Sequence, residues 1–131
     1  MIDMSLRYLQ FYPTLRCNAA CRFCFNRGIP LMADVRPADF RRIASVAASQ
    51  GIGHIDMLGG EPTLHPDLPE LIRIVRDHGL RTTISSNGTR VELLEALSDK
   101  FDRSTLRIGV SVNDGPVSEA LDAFIRRHRP M

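Results

Sequence analysis

Residues 54–88 read HIDMLGGEPTLHPDLPELIRIVRDHGLRTTISSNG and contain the clearest repeating unit of the chain. A short strand pattern at His54–Leu58 leads into the Gly-Gly-Glu-Pro turn at residues 59–62. A helical pattern follows over Pro66–His78, and a second strand pattern follows at Arg81–Ser85. A strand, a helix and another strand in this order predict a βαβ unit with two parallel strands.

The same alternation continues on both sides of this unit. It predicts further strands at Arg7–Thr14 and Leu106–Val112, and further helices from Pro37 to near Gly51, at Val91–Leu97 and at about Pro116–Arg127. An eightfold βα barrel takes about 250 residues, or about 31 per unit. This chain of 131 residues therefore holds about four units. We therefore predict an α/β fold: a partial (β/α) barrel whose open, curved parallel sheet carries helices on its convex face.

The last predicted strand distinguishes the two faces of the sheet. Its apolar side chains alternate with a second set that is mostly polar, namely Arg107, Gly109, Ser111 and Asn113. The apolar set should pack on the helices, which leaves the second set on the concave face. Two interpretations stay open: the second set faces a ligand, or a half-exposed edge strand shows its polar side to water.

The composition is that of an ordinary globular domain. The chain has 131 residues, 44% of them apolar and 24% charged, with a net charge of +2. That small charge argues against nucleic acid or a membrane surface as the main partner. Met1–Gln10 contains Asp3 and Arg7 without an apolar run, so we expect no signal peptide and a cytoplasmic protein.

All three cysteines fall within eight residues, at Cys17, Cys21 and Cys24. An odd number packed this closely is a poor disulfide framework, and it points to metal or redox chemistry. Iron–sulfur clusters are normally held by cysteine thiolates. Three thiolates on a four-iron cluster would leave one iron open to a small-molecule ligand.

The spacing C-x3-C-x2-C, placed after a first strand and with Phe23 before the last cysteine, resembles the signature of the radical S-adenosylmethionine (SAM) superfamily. The resemblance implies that the three cysteines bind a [4Fe–4S] cluster and that Phe23 lies beside the adenine of SAM. It also implies an oxygen-sensitive enzyme that cleaves SAM reductively to a 5′-deoxyadenosyl radical.

The Gly-Gly-Glu-Pro turn strengthens this resemblance. The matching segment of the family binds the amino group of SAM, which assigns that role to Gly59, Gly60 and Glu61. The resemblance also places the end of the third strand and the end of the fourth near SAM, through Ser86, Asn87, Ser111 and Asn113. Many relatives have Asp where this chain has Asn113. The longer segment Gly-Gly-Glu-Pro-Thr-Leu-His-Pro-Asp-Leu, residues 59–68, most resembles the matching segment of peptide-modifying and cofactor-maturing members with auxiliary-cluster extensions.

Three other interpretations of the cysteines remain, and one is that they are three unrelated buried cysteines. A zinc site would need a fourth ligand, which His54 or His65 could supply, although neither has finger-like spacing. Cys21 and Cys24 alone would match a thioredoxin-like redox pair, which leaves Cys17 unexplained.

The usual family core has six βα units, so we expect residues 1–131 to be a single, truncated core domain with its cluster loop at about 15–36. Two functions follow. The chain is either a radical SAM enzyme that abstracts hydrogen from a peptide or small molecule, or a non-catalytic cluster- and SAM-binding fragment that needs a partner chain. The first requires a reducing electron donor, and the second predicts self-association or a partner at the open sheet edge.

Overall fold

The computed structural model describes residues 8–16, 33–111 and 117–128. Within these ranges the chain alternates strands with helices, as the sequence predicts. The elements are β1 (Tyr8–Phe11), α1 (Pro37–Ser49), β2 (His54–Met57), a short 3-10 helix (Pro62–Leu64), α2 (Leu68–Asp77), β3 (Arg81–Ser86), α3 (Val91–Lys100), β4 (Leu106–Val110) and α4 (Glu119–His128).

The four strands form one parallel sheet in the order β1-β2-β3-β4. The register aligns Phe11, Met57, Ile84 and Ile108 in one row across the sheet. This row packs into the core, with Met57 and Ile84 fully buried. The predicted open parallel α/β sheet is therefore confirmed.

The helices cover the apolar face of the sheet. Phe40 on α1 is fully buried and its ring lies 5.3 Å from that of Phe11. Leu71 and Val75 on α2 and Leu94 on α3 complete the same core. A fully buried side chain of this size stabilises the fold by about 1.5–3 kcal/mol, so these contacts fix the helices on one face.

The opposite face of the sheet is polar. On β4 the alternation follows the prediction, since Leu106 and Ile108 are buried whereas Arg107 is exposed. Both interpretations of this face, as a ligand face or as a solvent-exposed edge, stay predictions.

Some element bounds differ from the sequence predictions for local reasons. β1 ends at Phe11, two residues before Pro13, which has no N–H for the ladder. The 3-10 helix at Pro62–Leu64 was not predicted, and it delays the start of α2 to Leu68. The predicted ends at Val112 and Pro116 lie outside the described residues. No helix in the described ranges is long and apolar enough to cross a bilayer.

Candidate functional site

Four loops meet at the carboxyl ends of the strands. Because the strands are parallel, the segments that follow them lie at one edge of the sheet, the edge where α/β proteins bind ligands. These segments are Thr14–Arg16 after β1, the Gly59–Glu61 turn after β2, Asn87 after β3 and Ser111 after β4.

The carboxylate of Glu61 is the centre of this edge. The residue is only 1% exposed, so an unpaired charge here would be costly. Its Oε2 accepts hydrogen bonds from the backbone N–H of Thr63 at 3.1 Å, from the Thr63 hydroxyl and from the Ser86 hydroxyl at 2.9 Å. Its Oε1 accepts one from the backbone N–H of Asn87 at 2.7 Å. The carboxylate thus joins the turn after β2 to the end of β3.

These bonds leave uneven acceptor capacity on the two oxygens. A carboxylate accepts about four hydrogen bonds, about two on each oxygen. Oε2 already receives three donors, whereas a single donor to Oε1 is found among the described residues. A further donor, such as an ammonium group, would therefore be accepted on the Oε1 side.

Ser86 and Asn87 shape the turn after β3. Ser86 is 2% exposed, and its hydroxyl, besides donating to Glu61, accepts from the backbone N–H of Gly88 at 3.1 Å. The side-chain oxygen of Asn87 accepts from the backbone N–H and the hydroxyl of Thr89, at 3.1 and 2.8 Å. Both predicted residues lie at the site, with their side chains engaged by the protein itself.

Gly59 and Gly60 are required by the chain's own backbone. Gly59 has a φ of 126°, and a Cβ there would lie 2.4 Å from the carbonyl oxygen of Thr14. A Cβ on Gly60 would lie 2.0 Å from that of Arg16. The sequence suggested that these glycines admit a ligand. Among the described residues the close approach is made by the segment 14–16, which leads directly to Cys17.

Hydrogen bonds join the same two segments. The backbone N–H of Gly60 donates to the carbonyl of Thr14 at 3.2 Å, and that of Glu61 donates to the carbonyl of Arg16 at 2.7 Å. The Gly-Gly-Glu turn is thereby fixed against the entry to the cysteine loop. Ser111 joins the assembly through its backbone N–H, which donates to the carbonyl of Ser86 at 2.8 Å.

The two ends of the cysteine loop are held together by an ion pair. The Nη2 of Arg16 lies 2.5 Å from Oδ2 of Asp34, its Nε lies 3.3 Å from Oδ1, and Nη2 also donates to the carbonyl of Leu64 at 2.9 Å. Partial burial acts to raise the pKa of Asp34. Hydrogen bonds from Thr14 and Arg16 and the positive charge of Arg16 outweigh it, so the pKa lies below its usual value.

His65 adds a second contact at the base of this loop. It is 3% exposed, and its Nδ1 accepts from the backbone N–H of Asp67 at 3.0 Å. The proton therefore sits on Nε2, which donates to the carbonyl of Val35 at 2.7 Å. The backbone N–H of Val35 in turn donates to the carbonyl of Pro13 at 3.0 Å.

The histidines proposed as a fourth zinc ligand are both engaged elsewhere. Both ring nitrogens of His65 have protein partners. His54 begins β2, at the opposite end of the strand from the cysteine loop, and its Nε2 lies 2.7 Å from Asp56 and 3.0 Å from Thr83. The structure therefore gives the zinc interpretation no support from either histidine.

The remaining predicted site residues cannot be placed. Cys17, Cys21, Cys24, Phe23 and Asn113 lie outside the described residues. Within the ranges that are described, no three His, Cys, Asp or Glu side chains form a group suited to a metal ion.

The sequence did not predict the roles of several residues at this site. Thr63 could have been found, because it lies two residues after Glu61, where a side-chain acceptor often bonds the backbone. The roles of Arg16 and Asp34 carry no local signal, since their partners are 18 to 48 residues away. The sequence offered His65 only as a zinc ligand, and its bond to the carbonyl of Val35 spans 30 residues.

A sequence model of the radical SAM superfamily matches residues 11–130. The chain belongs to this superfamily. Among curated radical SAM relatives, the probable GTP 3′,8-cyclase of Methanothermobacter marburgensis is 38% identical over 107 residues, covering 79% of this chain and 34% of the relative. The PqqA peptide cyclase of Methylobacterium nodulans is 38% identical over 93 residues, covering 66% of this chain and 24% of the relative.

Solved radical SAM structures share the fold. The crystal structure of Streptococcus suis SuiB bound to S-adenosylmethionine superposes with a TM-score of 0.70 at 26% identity. The match covers 82% of this chain and 25% of SuiB. The chain thus spans about a quarter to a third of the length of these three proteins.

Proposed function

We propose that this chain binds a [4Fe–4S] cluster through Cys17, Cys21 and Cys24, binds SAM beside it, and acts as a radical SAM enzyme. The observation that carries the proposal is the junction between the two motifs. The Gly-Gly-Glu turn is hydrogen-bonded to Thr14 and Arg16, so it lies against the backbone that leads into the first cysteine. A ligand on the cluster would therefore meet this turn.

The chemistry of the donor set fits this assignment. Three thiolates suit an iron–sulfur cluster with one open iron, and Glu61 retains acceptor capacity on Oε1 for an ammonium group. When both are bound, the cluster would supply the electron that cleaves a carbon–sulfur bond of SAM, yielding methionine and a 5′-deoxyadenosyl radical for hydrogen abstraction from the substrate.

The protein's own residues act by positioning. Glu61 holds the turns after β2 and β3 together through its bonds to Ser86 and Asn87, which leaves Oε1 in a fixed place. Ser111 lies at the same edge and, with Asn113, would offer polar groups to SAM. Phe23, one residue before Cys24, would pack on the adenine. A preorganised pocket of this kind binds its ligand with little reorganisation.

The substrate we infer is a peptide or a small molecule. SuiB has been crystallised with its precursor peptide SuiA, and a PqqA peptide cyclase and several probable GTP 3′,8-cyclases are among the relatives. A low-potential electron donor is also required. A reducing compartment such as the cytoplasm suits three free thiolates.

The second candidate is a cluster- and SAM-binding fragment that needs further strands. Its support is that β4 pairs on one side only, with β3, within the described sheet. The chain also spans at most about a third of the relatives compared above. On this view residues 1–131 form a single truncated core domain, with its cluster loop at about 15–36, and either self-associate or bind a partner chain at β4.

The deciding experiment is anaerobic reconstitution with iron and sulfide, followed by reduction and EPR spectroscopy with and without SAM. A reduced [4Fe–4S] signal that changes on adding SAM, together with 5′-deoxyadenosine formation by a monomer, supports the enzyme. A SAM-responsive cluster without 5′-deoxyadenosine favours the fragment. A sample that binds zinc but assembles no cluster overturns both.

A further inference from the structure

The amino ends of the strands carry a second polar site, on the polar face of the sheet. A cavity of about 210 Å³ opens there, lined by Arg81 at the start of β3, Arg107 on β4 and Arg103 in the loop before β4. Three arginines from two strands and one loop therefore line one small space.

These arginines differ from most others in the described chain. Seven of the described arginines form an ion pair with a carboxylate, namely Arg16, Arg36, Arg41, Arg73, Arg76, Arg126 and Arg127. Arg90 donates to the carbonyl of Thr63. Among the described residues, Arg81, Arg103, Arg107 and Arg42 have no side-chain partner, and three of these four line the same cavity.

The strand register sets the arrangement. Arg81 lies beside His54 on β2, and Arg107 lies beside Thr83 on β3. Parallel pairing holds neighbouring residues about 4.8 Å apart, so the site is built on the rigid part of the fold rather than on loops alone. Thr105 adds a largely buried residue to the lining.

The carboxylate of Asp56 on this face is already paired. Asp56 lies two residues along β2, and its Oδ1 is 2.7 Å from Nε2 of His54. None of the three cavity arginines forms an ion pair among the described residues. Three cations held close together repel one another, and an anion between them would relieve that repulsion.

We infer that this cavity binds a phosphate-type oxyanion. The planar guanidinium fork matches the oxygens of a phosphate, and three of them suit a dianion better than a singly charged carboxylate. Arg81 and Ser86 are the first and last residues of β3, which places the site about 16 Å from the Glu61 carboxylate's contacts. It is thus a binding site distinct from the radical SAM site, and it stands whether or not the proposed function holds.

The test is a titration of the chain with inorganic phosphate at constant ionic strength, followed by NMR shifts of the backbone amides of Thr83 and Arg107. We expect saturable binding that is tighter for phosphate than for acetate. Arg81→Gln and Arg107→Gln should each weaken it by about two- to fivefold. The matched control is Arg42→Gln on α1, since Arg42 is also unpaired among the described residues but lies away from this cavity.

Three outcomes would overturn the inference. They are an absence of saturable binding, acetate binding as tightly as phosphate, or an equal loss in Arg42→Gln, which would indicate general attraction to a basic surface. The replaced arginines are exposed, so the variants should fold; unfolding midpoints equal to wild type would confirm that any loss of binding is local.

Discussion

The backbone N–H of Glu61 donates a 2.7 Å hydrogen bond to the carbonyl oxygen of Arg16, the residue that immediately precedes Cys17. This bond joins the two sequence motifs of the radical SAM superfamily directly. Gly60 makes it possible, because any side chain there would collide with the Arg16 carbonyl. A substitution that displaces the turn should therefore also displace the start of the cysteine loop.

Gly60→Ala tests this coupling. The new methyl group would lie 2.0 Å from the Arg16 carbonyl, so the backbone must shift, and we expect a loss of about 1–3 kcal/mol in the free energy of unfolding. Cluster assembly should fall as well. Urea denaturation and the iron content after reconstitution measure the two effects.

Gly53→Ala is the matched control for that variant. Nothing lies within 4 Å of a Cβ at Gly53, so its stability should stay within about 0.5 kcal/mol of wild type. Equal stability of the Gly60 and Gly53 variants would show that the Gly-Gly-Glu turn does not pack against the cysteine loop as described.

Glu61→Gln should lower both the stability of the fold and the affinity for SAM, and the two effects can be measured independently. An amide places an NH2 group where one carboxylate oxygen now receives donors, so at least one donor loses its acceptor, at a cost of about 1–3 kcal/mol. Loss of a charged acceptor should also weaken SAM binding by about tenfold or more. Calorimetry of SAM binding to the reconstituted protein measures the second effect.

Glu92→Gln on α3 serves as its control, because Glu92 is exposed and no hydrogen bond or ion pair of its side chain is found in the described part of the chain. A Glu61→Gln protein that folds and binds SAM as tightly as the Glu92 variant would remove Glu61 from the SAM site. A destabilised variant with unchanged SAM affinity would leave Glu61 a purely structural role.

The Arg16–Asp34 ion pair predicts a pH dependence. Since the pKa of Asp34 is lowered in the folded state, its contribution to stability is present above the unfolded pKa of about 4 and is lost as the pH falls through the folded value. Solvent screening limits the contribution to about 1 kcal/mol or less, because both side chains are partly exposed.

Urea midpoints of wild type and Asp34→Asn between pH 3 and 6 test this. The variant should be less stable at pH 6, and its stability should fall less steeply toward pH 3. If stability fell with pH at the same rate in both proteins, the Arg16–Asp34 pair would contribute nothing to stability. Asp77→Asn on α2, which disturbs an exposed neighbouring pair with Arg76, gives the baseline.

Cys21→Ala tests the cluster assignment. With two thiolates left, a cubane is rarely retained, so we expect the loss of the iron–sulfur absorbance band and of most bound iron. Cys21 lies in the sequence between β1 and α1, outside the four strands of the sheet, so far-UV circular dichroism should not change. A Cys21→Ala protein with full iron content would show that the cysteine does not bind the cluster.

The order of the strands and helices and the superfamily could both be predicted from the sequence alone. The alternation of strand and helix patterns, with Gly51 and Gly79 just beyond two helices, predicted four parallel βα units, because apolar periodicity and helix ends are local properties. The cysteine spacing and the Gly-Gly-Glu-Pro turn identified the superfamily, because both are short and contiguous.

Only the tertiary structure shows which residues the Gly-Gly-Glu turn contacts. The sequence assigned Glu61 to a ligand and the glycines to ligand access. Those roles stay predictions, and the fold adds that Glu61 is bonded to Ser86 and Asn87, 25 and 26 residues away, and that the glycines pack on Thr14 and Arg16. Such contacts depend on strand order and register, which bring distant segments to one edge of the sheet. No local pattern encodes that proximity.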